Sequence, residues 1–231
     1  MIEGFAHLLF RFLLLAFVLA AILAVPPSAH AELVLVGYDT TNPNGANGAP
    51  SPDLPAAENQ SFITPLLLSR GAGVTPNQGI AFNSSNWSLA NSVDLQSDKY
   101  IEWGWSASTQ AVDLTSMTLQ YDISGSGPSQ LAIALSTNGG AFSTIFSDSS
   151  VDPSDETHTI DLSSFDLVSN ATFRLFGFDA NSTGGTLDIE EITPGGRRGI
   201  LIRGNVAVPE PASVAVICLS LPLLLRRRKR S

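Results

Sequence analysis

The sequence predicts an all-β domain, an antiparallel β-sandwich, flanked by an N-terminal signal helix and a C-terminal hydrophobic helix. Three observations predict it. Apolar and polar residues alternate with period two in five windows between residues 99 and 192. Clusters of Gly, Pro, Asn and Ser separate these windows. No helical periodicity is found between the two ends. Successive side chains leave a strand on opposite sides, so strict alternation marks a strand with one buried face.

The elements follow in chain order. Leu33 to Tyr38 is a first strand. Asn42 to Ala57 is rich in Pro, Gly, Asn and Ala and reads as a long loop. Segment 61–76 mixes Leu66, Leu67 and Leu68 with Gly and Pro and takes no assignment. From Gly79 onward the pattern is β. In 99–105, Ile101, Trp103 and Trp105 share a face opposite Tyr100 and Glu102. In 117–123, Met117, Leu119, Tyr121 and Ile123 oppose Thr118, Gln120 and Asp122. Leu131, Ile133 and Leu135 repeat the period, as do Phe173 with Leu175 and Leu187 with Ile189. Turn signals stand at 124–128, 138–140, 152–153, 181–185 and 194–196. Asn138-Gly139-Gly140, between apolar runs, reads as a hairpin. Strands at intervals of about 10–15 residues suggest a sandwich. The predicted organisation is a signal peptide (1–31), a first strand with a loop region (32–77), the sandwich (78–206) and a C-terminal signal (207–231).

Charge and composition exclude several function classes. The chain has 231 residues and a formal net charge of −9. Five of its 12 Lys and Arg lie in the last six residues, and residues 32–211 hold twenty acidic side chains against six basic ones. A nucleic-acid partner needs a basic surface, so none is expected. The single cysteine, Cys218, lies in the apolar tail, which excludes an intrachain disulfide framework and a thiolate zinc site. His158 is the only histidine of the middle segment, so a multi-His metal site lacks its ligands.

Both ends read as targeting segments. Arg11 precedes a fourteen-residue apolar run, Phe12 to Val25, which Pro26 and Pro27 break. Ala29-His30-Ala31 then presents the small–x–small pattern that signal peptidase cleaves, leaving Glu32 as the new N-terminus. A helix of that length spans about 21 Å, short of the ~30 Å hydrocarbon core, which favours a cleaved signal over an anchor. At the other end, Pro209-Glu210-Pro211 precedes the apolar run 212–225, and Arg226, Arg227, Arg228, Lys229 and Arg230 follow it. An apolar helix closed by cations is a stop-transfer signal for the inner membrane. Pro222 interrupts the short helix, which suits a temporary hold.

This tail resembles the PEP-CTERM sorting signal of Gram-negative bacteria, a Pro-Glu-Pro motif followed by a hydrophobic helix and an Arg-rich end. Pro209, Glu210 and Pro211 match the motif. The resemblance implies export, retention in the inner membrane and processing by an exosortase, with display at the cell surface or in the extracellular matrix. The order of segments over 78–206 also resembles a β-sandwich common in PEP-CTERM proteins and distantly similar to jelly-roll carbohydrate-binding modules. Tyr100-Ile101-Glu102-Trp103, Leu119-Gln120-Tyr121-Asp122 and Phe173-Arg174-Leu175-Phe176-Gly177-Phe178 are among the residues that carry it. This second resemblance implies a fold and transfers no binding residue.

Candidate sites are few. Trp87, in the polar run Asn83–Ser88, is the expected surface ring for stacking on a sugar, whereas Trp103 and Trp105 share the face of Ile101 and belong to a core. Asp148, Asp152 and Asp155, with Glu156, lie in one loop and offer oxygens for calcium, although the spacing is not that of an EF-hand. A solvated acidic loop is the competing reading. No other cofactor is expected. His158 reads as structural, since no Gly-x-Ser-x-Gly elbow supplies it with a nucleophile. Asn59, Asn83, Asn86, Asn170 and Asn181 begin Asn-x-Ser/Thr triplets, which arise by chance in a chain this rich in these residues. The expected function is that of an exported, exosortase-sorted surface or matrix protein with a non-catalytic sandwich. A module binding extracellular polysaccharide is the first alternative. A cryptic glycan hydrolase is the second, and it requires two carboxyl groups in a cleft, roughly 5–9.5 Å apart.

Overall fold

The computed structural model describes residues 32–41, 50, 52–79, 81–154, 156–192 and 198–206. The described residues form strands and loops without a helix. The strands are β1 (Leu33–Asp39), β2 (Glu58–Asn59), β3 (Ile63–Pro65), β4 (Ser69–Arg70), β5 (Thr75–Pro76), β6 (Phe82–Ser85) and β7 (Ile101–Ala107). They continue as β8 (Val112–Ile123), β9 (Pro128–Thr137), β10 (Ser143–Asp148), β11 (Glu156–Asp161), β12 (Asn170–Ala180), β13 (Leu187–Ile189) and β14 (Arg198–Val206). They make two sheets, of eight and six strands. Every pairing between them is antiparallel.

Strand β8 organises the eight-stranded sheet. Met117 and Leu119 pair with β11 and with β14, and Tyr121 pairs with β11 and with β13. A strand has two edges, so β11 takes one, and β14 and β13 share the other in succession. Beyond them lie β1 against β14 and β6 against β13. Strands β2 and β5 are outermost. In the six-stranded sheet the order is β10, β9, β12, β7, with β3 and β4 both on the far edge of β7.

The alternating faces meet as the core. Ile101, Trp103, Met117, Leu119, Tyr121, Leu131, Ile133, Phe173, Leu175, Leu187 and Ile189 are all fully buried. Trp103 stacks on Phe173 across the β7–β12 pair, with ring planes 5° apart. In β8 the period slips. Ser116 pairs with Arg203 and Leu114 with Gly204, which leaves Thr115 as an extra residue. This β-bulge resets the alternation, so Val112 and Leu114 face the core as Met117 and Leu119 do. The Asn138-Gly139 hairpin forms as expected between β9 and β10. Both residues have positive φ, 53° and 75°, which gives a two-residue turn whose twist matches that of the strands.

A buried tyrosine is among the polar contacts that tie the sheets together. Tyr38 of β1 is fully buried, and its hydroxyl donates to the Leu66 carbonyl at 2.7 Å, with the Gly104 carbonyl at 3.0 Å. Burial pushes this phenol well above its usual range. Gly104 lies where β7 approaches β12 closely, and a Cβ there would collide with the Ala171 carbonyl oxygen.

Residues on both sides of position 78 contribute to each sheet, because β1 pairs with β14 and β3 with β7. One expectation changes, that of Trp87 as a surface ring. Strand β6, just before it, lies between β13 and β5, with Phe82, Asn83 and Ser84 buried. Trp87 is fully buried as well. Asn86, at φ 65°, turns the chain, and the Trp87 indole N–H donates to the Ser84 carbonyl at 2.9 Å. The ring lies against Gly177 of β12, where a Cβ would come within 2.9 Å of it. The signal peptide with Ala29 and Ala31, Asp155, the sorting motif Pro209–Pro211 and the cluster Arg226–Arg230 all lie outside the described residues, as do both terminal helices.

Candidate functional site

Of the loop expected to offer oxygens to calcium, Asp148, Asp152 and Glu156 are described and Asp155 is not. The Asp152 carboxylate accepts from the Ser154 hydroxyl at 2.9 Å. Asp148 turns toward Tyr121, whose hydroxyl donates to Asp148 Oδ2 at 2.9 Å. Strands β10 and β11 are the edges of their sheets on the same side of the sandwich, and the loop between them crosses from one sheet to the other. Asp148 there comes together with Glu156 and His158, with potential ligand atoms within 4.8 Å of one another. These groups satisfy each other. His158 Nε2 lies 3.0 Å from Glu156 Oε2, and the imidazole stacks on Tyr121 with ring planes 9° apart. The Phe146 ring packs at a tilt against the same imidazole, with ring centres 5.0 Å apart. Burial, then the bond to Asp148, pushes the Tyr121 phenol far up, so it remains a neutral donor. The arrangement is a hydrogen-bonded plug closing the sandwich edge, which agrees with a structural His158.

The outer face of the six-stranded sheet is different. Thr144, Ala134, Arg174, Glu102 and Ser69 follow one another in register across β10, β9, β12, β7 and β4. Arg174 Nε donates to Glu102 Oε2 at 2.7 Å. The guanidinium lies 4.1 Å from the centre of the Tyr100 ring and 4.3 Å from that of Phe142. Ala134, between β10 and Arg174, is small enough to leave room for Phe142 to reach over. Tyr100 in turn meets the edge of Phe176 at 5.9 Å. Arg174 and Glu102 keep 24% and 26% of their side-chain surface in water. A shallow depression bordered by Ser97, Lys99, Phe176 and Phe178 adjoins this strip through Phe176.

The strip is fixed in place chemically. An Arg clamped between two rings and a carboxylate loses little further freedom when it binds something, because its planar fork is already oriented. Rings, a guanidinium and a carboxylate together offer apolar faces, donors and acceptors on a sheet surface. The alternation in 99–105 had already put Tyr100 and Glu102 together on one face. Arg174 and Phe142 carried no signal, because cross-strand register decides their place.

Carboxylates converge at a second place, the outer face of the eight-stranded sheet, where Asp122, Asp188 and Glu190 bring oxygens within 4.8 Å of one another.

The chain matches no protein-family model and no curated protein by sequence. Among solved structures it is similar to family 29 carbohydrate-binding modules. One such module is 12% identical, at a TM-score of 0.38, over 80% of this chain and 98% of that one. A variant complexed with mannohexaose is 12% identical, at a TM-score of 0.37, over 77% of this chain and 92% of that one. A variant complexed with cellulohexaose is 14% identical, at a TM-score of 0.37, over 78% of this chain and 93% of that one. The sandwich assignment rests on the strand pairing described above.

Proposed function

We propose that the chain is an exported surface protein, sorted by an exosortase, whose jelly-roll-like sandwich binds extracellular polysaccharide without cleaving it. The observation that carries the binding reading is the partly buried strip of Tyr100, Glu102, Phe142 and Arg174 on the six-stranded sheet. A pyranose has an apolar face that suits a ring edge or face, and hydroxyls that pair with a guanidinium and a carboxylate. The export reading rests on the two terminal segments and on the resemblance of the tail. Export places the strip where polysaccharide is met. Signal peptidase, the exosortase and the inner membrane are partners during sorting, and polysaccharide is the partner afterwards.

The test is native affinity electrophoresis of the mature protein through gels containing mannan, β-glucan or matrix polysaccharide from the producing cells. The wild-type protein is retarded in at least one gel, and Arg174→Ala migrates as it does without polysaccharide. Unretarded wild-type protein in every gel would overturn the binding reading. Terminal mapping of the same sample by mass spectrometry tests sorting independently, with Glu32 first and an end near Pro211 expected.

A further inference from the structure

The outer face of the eight-stranded sheet holds a group that polysaccharide binding does not use. Asp188 of β13 pairs with Asp122 of β8 on one side and with Asn83 of β6 on the other, so the three side chains leave one face side by side. Glu190, two residues beyond Asp188, shares that face. Asp122, Asp188 and Glu190 bring one oxygen each within 4.8 Å of the others. Burial, then the charges of Asp122 and Glu190, push the Asp188 carboxyl up to about 7, with Arg70 opposing.

The independent observation is Asn83, which is only 7% exposed. Its amide N–H donates to the Gln78 carbonyl at 3.1 Å, on the β5 side of β6. Oδ1 is the other arm of that amide, on a residue paired in register with Asp188 of β13. Asn83 Oδ1 is buried without a hydrogen-bond partner, and so is Asp188 Oδ1. Buried acceptors almost always have a partner, and two orphaned acceptors side by side call for a shared one. Among the described residues, no other side chain donates to either atom.

The ligand set decides the partner's chemistry. It is three carboxylates and one amide carbonyl, all hard oxygens with no nitrogen or sulfur. Calcium takes six to eight such oxygens in flexible geometry, including carboxylate and Asn carbonyl ligands, with water completing the shell. Magnesium demands near-ideal octahedral ligands and sheds water reluctantly, which a flat sheet surface serves poorly. Asp122 and Glu190 each make a further interaction of their own. We propose that Asp122, Asp188, Glu190 and the Asn83 Oδ1 atom bind one calcium ion on the outer face of the eight-stranded sheet. The ion would tie β6, β13 and β8 together where their side chains lie in register.

The experiment titrates calcium chloride into the mature protein, freed of metal by chelator and dialysis, at pH 7.5. Heat of binding and melting temperature are followed together. One ion binds per chain, and the melting temperature rises with calcium concentration, as mass action requires for a ligand of the native state. Asp188→Asn and Asn83→Ala both lose that rise, and Asp148→Asn at the sandwich edge keeps it. An absent response in the wild-type protein would overturn the proposal. So would an undiminished response in Asn83→Ala, which decides the matter should Asp188→Asn fail to fold, or a response lost only in Asp148→Asn.

Discussion

The two outer faces of this sandwich share one core and differ in chemistry. The six-stranded sheet presents Arg174 between Tyr100 and Phe142, braced by Glu102. The eight-stranded sheet presents Asp122, Asp188 and Glu190 beside Asn83. On the first face the guanidinium is paired with a carboxylate within the protein. On the second, three carboxyl groups bring oxygens within 4.8 Å of one another. The difference teaches that a sandwich can carry two chemically distinct outer surfaces, since its inward residues are shared while each outward row answers to its own cross-strand register.

The largest expected effect removes both faces at once. Trp87→Ala takes a fully buried indole from between β6 and β12 and leaves a cavity beside Gly177. A loss of about 3–5 kcal/mol is expected, read by denaturant unfolding. Polysaccharide retention of the fraction that stays folded should not change. Selective loss of retention with stability intact would mean that Trp87 reaches the surface. Next, Arg174→Ala should abolish retention in affinity electrophoresis and leave the calcium response untouched. Loss of both would break the separation of the faces.

A pH series sharpens the other face. The Asp188 carboxyl is raised from 3.8 to about 7 in the folded protein. Between those values the native state holds a proton that the unfolded state has released, so stability falls as pH rises through that window. Calcium-free protein should therefore lose stability between about pH 4 and 7. Asp188→Asn should flatten that slope, and saturating calcium should oppose it. An unchanged slope in Asp188→Asn, measured by chemical unfolding at each pH, would place the titration elsewhere. The smallest effect lies at the edge between the faces. Tyr121→Phe removes the hydrogen bond to Asp148 and should cost about 1 kcal/mol of stability. It should change neither retention nor the calcium response.

The core was legible because its strands are long enough to show a period. Ile101, Trp103 and Trp105 were assigned inward by alternation, and all three are buried. The hairpin at Asn138-Gly139 was legible because so few residues accept its backbone. Strands of two or three residues, such as β3, β4 and β5, show no period, which is why segment 61–76 took no assignment. Trp87 misled because its neighbours Asn83, Ser84, Ser85 and Asn86 are polar. The burial of β6 comes from lying between β13 and β5, a tertiary fact that local composition does not encode. The same limit applies to both sites. Glu102 and Arg174 are 72 positions apart in the chain, and Asn83 meets Asp188 through pairing alone. The calcium expectation on Asp148, Asp152 and Asp155 rests on proximity in sequence, whereas the grouping of Asp122 with Asp188 arises only where two strands meet in the sheet.

The most direct measurement is the backbone amide chemical shifts of the isotopically labelled mature protein, with and without oligosaccharides from matrix polysaccharide. Shifts concentrated at Tyr100, Glu102, Phe142 and Arg174 and along β7 and β12, saturating with ligand, are the predicted result. Shifts concentrated instead around Asp122 and Asp188, or none at any residue, would contradict the assignment of the six-stranded face as the binding surface.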